Sequence, residues 1–291
     1  MALPPPSQQL GPRLTPPRTV GAVVRQARDA LRRQRADRAA QAAQQPEAPA
    51  PTRLTLTLPL PVASASPRGA PLDELPFSLF DESDWPGGIQ QRFRALRPLV
   101  EATLEGYEVN FLGMLESPAD GLGCWTLGAP PDAPSATFVG IPTNATFASF
   151  AKLCDGGYGA APARPGHTLV AVNPDWTGPA DIGQFWERDL KAAAARLLAP
   201  GAWAPLYAAR MLRTSRARGH GLLVGSWGRG WHLWAADSAG RHWRRRPTAE
   251  RRHAEESSSV RDECVLWSEA EPEAAAVVEA LNRAAAGSRK R

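Results

Sequence analysis

The hydrophobic pattern is strongest between His167 and Asn173, where an unbroken apolar run ends at an Asn-Pro pair. A run without polar alternation is typical of a strand that is buried on both faces of a parallel sheet. Helical spacing of apolar residues follows from Asp181 to Ala199. The pattern therefore predicts the central strand of an α/β sheet, with a helix after its carboxyl end.

Strand and helix patterns also alternate through the rest of the first two thirds of the chain. Apolar residues at helical spacing predict helices that begin after Thr19, Asp84 and Asn144, three residue types that can cap a helix. Period-two alternation or short apolar runs predict strands over 54–58, 109–115, 124–127 and 136–141. Alternating strands and helices are typical of a sheet with parallel strands.

The last third has a different pattern, dominated by short apolar runs around glycines. We expect a second short helix over 206–212, a hairpin of 222–227 with 231–234, a last strand at 264–267 and a closing helix over 273–286. The predicted fold class is α/β, a mixed, mostly parallel central sheet flanked by helices, with an antiparallel hairpin region in the C-terminal third.

Proline marks the expected segments outside the core. The 29 prolines are about twice the usual share, and they gather before residue 18 and between residues 46 and 76. We predict a disordered or transit-like N-terminus over 1–18 and one α/β domain over 19–286. That domain contains a flexible linker at 46–52 and a loop at 62–83, and a basic tail follows over 287–291. The first 45 residues are rich in arginine and poor in acids, as transit peptides are, but apolar spacing favours a folded helix after Thr19.

Charge and cysteine content narrow the class of protein. The net charge of +5 comes almost wholly from arginine, and it is compatible with an anionic membrane surface or nucleic acid without requiring either. The three cysteines form no Cys-x-x-Cys pair, which favours a reducing compartment. No apolar run approaches the roughly 18 residues of a membrane-spanning helix.

Recognisable catalytic signatures are missing from the sequence. It contains no His-Glu-x-x-His, no Gly-x-Ser-x-Gly and no Walker motif. The glycines of 155–159 follow a predicted helix, so helix termination explains them better than a phosphate-binding loop. Neither the histidines nor the cysteines have metal-ligand spacing, and we interpret Cys154 as a buried structural thiol. The sequence therefore predicts no catalytic residue, no metal and no cofactor.

Candidate binding residues come from loops, strand ends and one basic run. They are Trp85, Glu116, Asp120, Asn173, Trp176, Arg244, Arg245 and Arg246. Loops at strand ends carry function more often than helix faces do, and the carboxyl end of a central parallel strand is the usual ligand position in open α/β sheets. The arginine run can hold phosphate groups, but acidic neighbours make a solvated loop a competing explanation.

Six segments appear in an order that is hard to obtain by chance: Gln26-Ala27, Leu58-Pro-Leu-Pro61, Asp84-Trp-Pro-Gly-Gly88, Gly113-Met-Leu-Glu116, Phe150-Ala-Lys-Leu153 and Asn173-Pro-Asp-Trp176. Together they resemble a plastid domain-of-unknown-function family of photosynthetic organisms. That family includes the low photosystem II accumulation type of assembly factor and a domain appended to a plastid adenylate kinase. The resemblance runs from about Thr19 to about Asn282. The chain departs from it at Ile141-Pro-Thr, where Phe-Pro-Asp is common, and at Ser268-Glu-Ala-Glu, where the family has Arg-Pro.

The resemblance implies a non-enzymatic chloroplast protein, in the stroma or at the stromal face of the thylakoid. We expect it to assist photosystem II or thylakoid biogenesis by binding proteins, with peripheral contact to anionic membrane and no nucleic-acid partner. The family offers no agreed functional residues to transfer. The alternative is a nucleotide or sugar-phosphate binding protein or enzyme, with its ligand at the carboxyl end of the 167–173 strand.

Overall fold

A nine-stranded mixed sheet with helices on both faces organises the protein in the computed structural model. The structure describes residues 14–44, 52–61, 70–77, 88–117, 119–128, 135–159, 161–176, 178–184, 186–214, 219–235, 245–246, 261–262 and 264–288. The predicted linker at 46–52, apart from its last residue, and most of the predicted loop at 62–83 lie outside these ranges.

Five helices and eleven strands are formed by the described residues. The helices are α1 (Val20–Gln44), α2 (Ile89–Thr103), α3 (Phe147–Cys154), α4 (Arg188–Leu197) and α5 (Ala274–Ser288). The first strands are β1 (Thr52–Thr57), β2 (Val109–Met114), β3 (Gly123–Leu127), β4 (Ala136–Gly140), β5 (Thr168–Val172) and β6 (Ala204–Thr214). They are followed by β7 (Gly219–Ser226), β8 (Gly230–Ala235), β9 (Arg245–Arg246), β10 (Arg261–Asp262) and β11 (Cys264–Ser268). β9 and β10 form a separate two-stranded ribbon.

The order of the main sheet is β11-β8-β7-β6-β1-β5-β4-β3-β2. Only the neighbours β6–β1, β1–β5 and β5–β4 are parallel. The pairs toward both edges are antiparallel. The prediction of an α/β fold with an antiparallel C-terminal region is confirmed, but the prediction of a mostly parallel sheet is wrong. The connections from β2 to β3 and from β3 to β4 are shorter than the crossover of about a dozen residues that parallel pairing requires.

The central strand is where the apolar run predicts it. β5 pairs in parallel with β1 on one side and β4 on the other, and all five of its residues are buried. Val170 and Val172 pack in the core under α1 and α2, whereas Leu169 and Ala171 pack on the opposite face with α3 and α4. Burial on both faces explains why this strand shows no polar alternation.

The arginine-rich N-terminal region folds as α1, which confirms the predicted first helix. The Thr19 hydroxyl accepts a hydrogen bond from the Ala22 backbone N–H at 3.2 Å, as a helix cap does. Val20, Val24 and Leu31 are among the residues that α1 buries in the largest core cluster. α1 is therefore an integral part of the domain.

After β5, one helix prediction is too long and a second is wrong. The segment predicted to be helical from Asp181 to Ala199 is helical only from Arg188 to Leu197, and Trp186, which precedes this helix, is 64% exposed. The residues at 206–212, predicted as a helix, form part of β6. Their alanine content favours a helix locally, but pairing with β1 and β7 on both sides overrides that preference.

Candidate functional site

The structure distributes the predicted binding residues over separate parts of the fold. Trp85 and Arg244 lie outside the described residues. Arg245 and Arg246 form β9 and pair with β10. Glu116 and Asp120 lie in the connection between β2 and β3, whereas Asn173 and Trp176 follow β5.

Asn173 is almost completely buried and its side-chain amide contacts the backbone of Leu58. Its Nδ2 donates to the Leu58 carbonyl oxygen at 2.7 Å, and its Oδ1 accepts from the Leu58 N–H at 2.7 Å. Trp176 packs against the rings of Phe150 and Trp203, with centroids 5.3 and 5.7 Å away. Both side chains take part in packing the fold here, and their role toward a ligand stays a prediction.

A cavity of about 490 Å³ lies on the sheet face that carries α3, between β2 and the segment after that helix. Its floor contains Asn110, Thr126 and Thr137, which stand opposite one another on β2, β3 and β4. Thr137 is buried, and its hydroxyl lies 3.0 Å from Nε2 of the buried His167. A row of polar side chains thus crosses a sheet whose faces are otherwise largely apolar.

One polar atom of this row has no partner among the described residues. The Nδ2 of Asn110 is shielded from solvent and donates no hydrogen bond to any residue that the structure describes. A shielded donor left unpaired costs about 1–3 kcal/mol, which an acceptor entering the cavity would offset. The cavity volume falls within the range of about 300–1,000 Å³ that is usual for ligand pockets.

Glu116, Tyr158 and Lys152 meet at the rim of the cavity. The Tyr158 hydroxyl donates a hydrogen bond to the Glu116 carboxylate. The Lys152 Nζ lies 4.5 Å from the centre of the Tyr158 ring and 3.9 Å from Glu116 Oε1. Glu116 was singled out by the sequence, but Lys152 and Tyr158 were not, because nothing in the sequence relates the end of β2 to the end of α3.

The charge states at this rim do not favour acid–base catalysis. The hydrogen bond from Tyr158 lowers the pKa of Glu116. Partial burial, followed by the hydrogen bond to Glu116, raises the pKa of the Tyr158 phenol. At neutral pH the carboxylate is thus charged and the phenol is protonated, with both pKa values moved away from 7. A general acid or base works best with a pKa near the working pH, so this arrangement is better suited to binding.

β2 is an edge strand with an exposed apolar side chain beside the cavity. Within the described part of the chain the sheet ends at β2, whose outer side has no neighbouring strand. The strand sequence, Val-Asn-Phe-Leu-Gly-Met, carries no charge, and Leu112 is 63% exposed. Charges, prolines and bulges are the usual features that prevent an edge strand from pairing with another chain, and of these β2 has only a bulge, at Leu112.

Comparison of the chain with protein-family models, with curated proteins and with solved structures finds no match. Among the helices of the described residues, none is both long enough and apolar enough to cross a bilayer. The same residues contain no group of three or more histidines, cysteines or carboxylates that could hold a metal ion.

Proposed function

We propose that this protein is a non-enzymatic binding protein that takes up an extended segment of a partner protein along β2. The observation that carries the proposal is the edge of β2, which has no charged residue and no neighbouring strand among the described residues, next to a cavity with a polar floor. An extended peptide that joins a sheet edge gains affinity from backbone hydrogen bonds and specificity from pockets for alternate side chains. The cavity would supply one such pocket.

The residues of the cavity define the side chain that fits it. The shielded Nδ2 of Asn110 requires an acceptor, and Arg164 places a cationic group in the lining. Leu112 and Leu115 contribute apolar surface near the entrance. A partner side chain with a short apolar stem and a terminal oxygen, as in glutamine or glutamate, satisfies all three requirements.

The cellular setting is proposed from the sequence resemblance. On that basis the partner would be a protein of photosystem II or thylakoid biogenesis, and the binding would take place in the chloroplast stroma or at the stromal face of the thylakoid. The fold supports the role in one respect, because a largely antiparallel edge with an exposed strand is suited to transient protein contacts.

The test uses the full chain and the Leu112→Lys variant, which adds a charge to the exposed edge without touching the core. Proteins captured from a thylakoid extract are identified by mass spectrometry, and hydrogen exchange of the β2 amides is measured with and without the captured partner. We expect protection of β2 amides with the wild type and loss of capture with Leu112→Lys. Trp186→Lys is the matched control, because Trp186 is equally exposed and lies before α4.

Two results contradict different parts of the proposal. Equal capture by Leu112→Lys and wild type, or β2 amides that stay unprotected in the complex, would show that β2 is not the binding edge. If β2 captures proteins that are unrelated to photosystems, the proposed binding mode is supported and the proposed plastid role is wrong.

A further inference from the structure

A second cavity, of about 500 Å³, lies in the other half of the sheet, where β7 turns into β8. Three indole side chains line it, those of Trp227, Trp231 and Trp267, together with Arg229 and Glu269. None of these residues takes part in the contacts proposed for β2. We call this the tryptophan cavity, and its function is independent of the binding edge.

Helix α1 holds one wall of the tryptophan cavity in place. The Trp227 indole N–H donates to Asp37 Oδ2 at 2.8 Å. Arg33 donates through Nε to the Trp227 carbonyl oxygen at 2.9 Å and through Nη2 to the Ser226 hydroxyl at 2.9 Å. Trp227 is therefore fixed at both its backbone and its ring before any ligand arrives.

The opposite wall is fixed by a close approach between the β7–β8 turn and the end of β11. The Trp267 indole N–H donates to the Arg229 carbonyl oxygen at 3.4 Å. Gly230 has a φ of +69°, and a Cβ at this position would lie 2.5 Å from the Ser268 carbonyl oxygen. Only glycine allows this approach, so the turn sequence itself sets the distance between the two walls.

The charges in the tryptophan cavity restrict what it can bind. Within the part of the chain that the structure describes, neither Arg229 nor Glu269 forms an ion pair, although both line the same space. A cation would be attracted by the carboxylate and repelled by the guanidinium, and an anion the reverse, so an ion of either sign can pair with only one of the two side chains. A purely apolar ligand could contact the indoles but would form no hydrogen bond with either charged side chain.

We propose that the tryptophan cavity binds a neutral carbohydrate, a hexose unit of an oligosaccharide. The flat C–H face of a sugar ring covers an indole as an apolar surface does. Each sugar hydroxyl both donates and accepts, so neighbouring hydroxyls can accept from the Arg229 guanidinium and donate to the Glu269 carboxylate. A neutral polyol satisfies both charged groups without repelling either, and the volume accommodates it.

The test is a titration of the full chain with three neutral probes, maltotriose, cellotriose and xylotriose. Binding is monitored by tryptophan fluorescence. We expect at least one trisaccharide to give a saturable change. Arg229→Gln and Glu269→Gln should each weaken it by about tenfold, because each removes charge-assisted hydrogen bonds. Trp186→Ala, which removes an exposed indole elsewhere, should bind as the wild type does.

Arg229→Gln and Glu269→Gln each remove one charge from the cavity wall and leave the core unchanged. A change in binding can therefore be assigned to the lost charge. Tighter binding of an anionic probe by Glu269→Gln, or of a cationic probe by Arg229→Gln, would overturn the proposal in favour of a charged ligand. Saturable binding of free L-tryptophan, without binding of any trisaccharide, would show that the ligand is a zwitterion and not a sugar. Absence of any saturable change with the three trisaccharides at millimolar concentration would also overturn it.

Discussion

The side-chain amide of Asn173 forms hydrogen bonds with both backbone groups of Leu58, and so ties the end of β5 to the segment that leaves β1. Its own N–H donates to the Leu56 carbonyl oxygen at 2.8 Å. Asn173 also has a φ of +47°, in the left-handed region that asparagine tolerates better than most residues. One residue thus ends the central strand and fixes the neighbouring chain.

We expect Asn173→Ala to lower the free energy of unfolding by about 2–4 kcal/mol, because it leaves two backbone groups in a buried setting without partners. Urea denaturation monitored by circular dichroism measures this. Asn282→Ala is the control, since Asn282 is exposed on α5 and should change stability by less than about 0.5 kcal/mol. A loss below about 1 kcal/mol for Asn173→Ala would show that the amide is not needed to hold Leu58.

Because α1 packs in the core, substitutions at two of its adjacent residues should have very different effects on the free energy of unfolding. Leu31 is buried in the largest core cluster, whereas Arg32 is exposed. Leu31→Ala should lower the free energy of unfolding by about 2–5 kcal/mol and Arg32→Ala by less than about 0.5 kcal/mol. Thermal and urea unfolding of the two variants test this. Equal effects would mean that α1 is not packed on the sheet.

The buried imidazole of His232 makes stability depend on pH. Burial, with a smaller contribution from Arg229, lowers the pKa of His232 to about 4, and its ring stacks on Trp234 at 5.5 Å. Between pH 6.5 and 4 the unfolded chain binds a proton that the folded protein does not, so stability falls as the pH falls through this range. The loss reaches about 3 kcal/mol at the lower end. His232→Phe should remove this part of the pH dependence in urea unfolding series, and an unchanged slope would contradict the assignment.

The three thiols should be unreactive in the folded protein. Burial raises the pKa of Cys124 and of Cys154 to about 12, and burial also raises the pKa of Cys264. With a pKa of about 12, only about one thiol in ten thousand is ionised at pH 8. We expect slow reaction with Ellman's reagent in buffer and fast reaction in concentrated urea. Rapid labelling of Cys154 in buffer would instead identify it as a reactive thiol.

Elements with an unambiguous pattern could be predicted from the sequence. β5 is buried on both faces and the hairpin of β7 and β8 turns at glycines, so local pattern and final position agree. β6 could not be predicted, because its alanines and leucines are compatible with a helix until β1 and β7 pair with it. The parallel or antiparallel sense of each pair likewise depends on which strands meet, and no local pattern records this.

The two cavities are harder to predict from the sequence than the strands are. Asn110, Thr126 and Thr137 are ordinary strand residues until three strands align them in one row. In the tryptophan cavity the turn at Gly230 meets Glu269 only through pairing of β8 with β11. The high tryptophan content was visible in the sequence, but which indoles share a space follows from the sheet order alone.

The position of β1 has a consequence for how the chain reaches its native state. β1 precedes every other strand of the described residues, yet its two neighbours contain Val170 and Ala204. The adjacent strands β2, β3 and β4 can pair as soon as they leave the ribosome, because their partners are close in sequence. β1 has no strand partner until β5 and β6 have been synthesised, and this interval is longer than the one that β2, β3 or β4 spends unpaired.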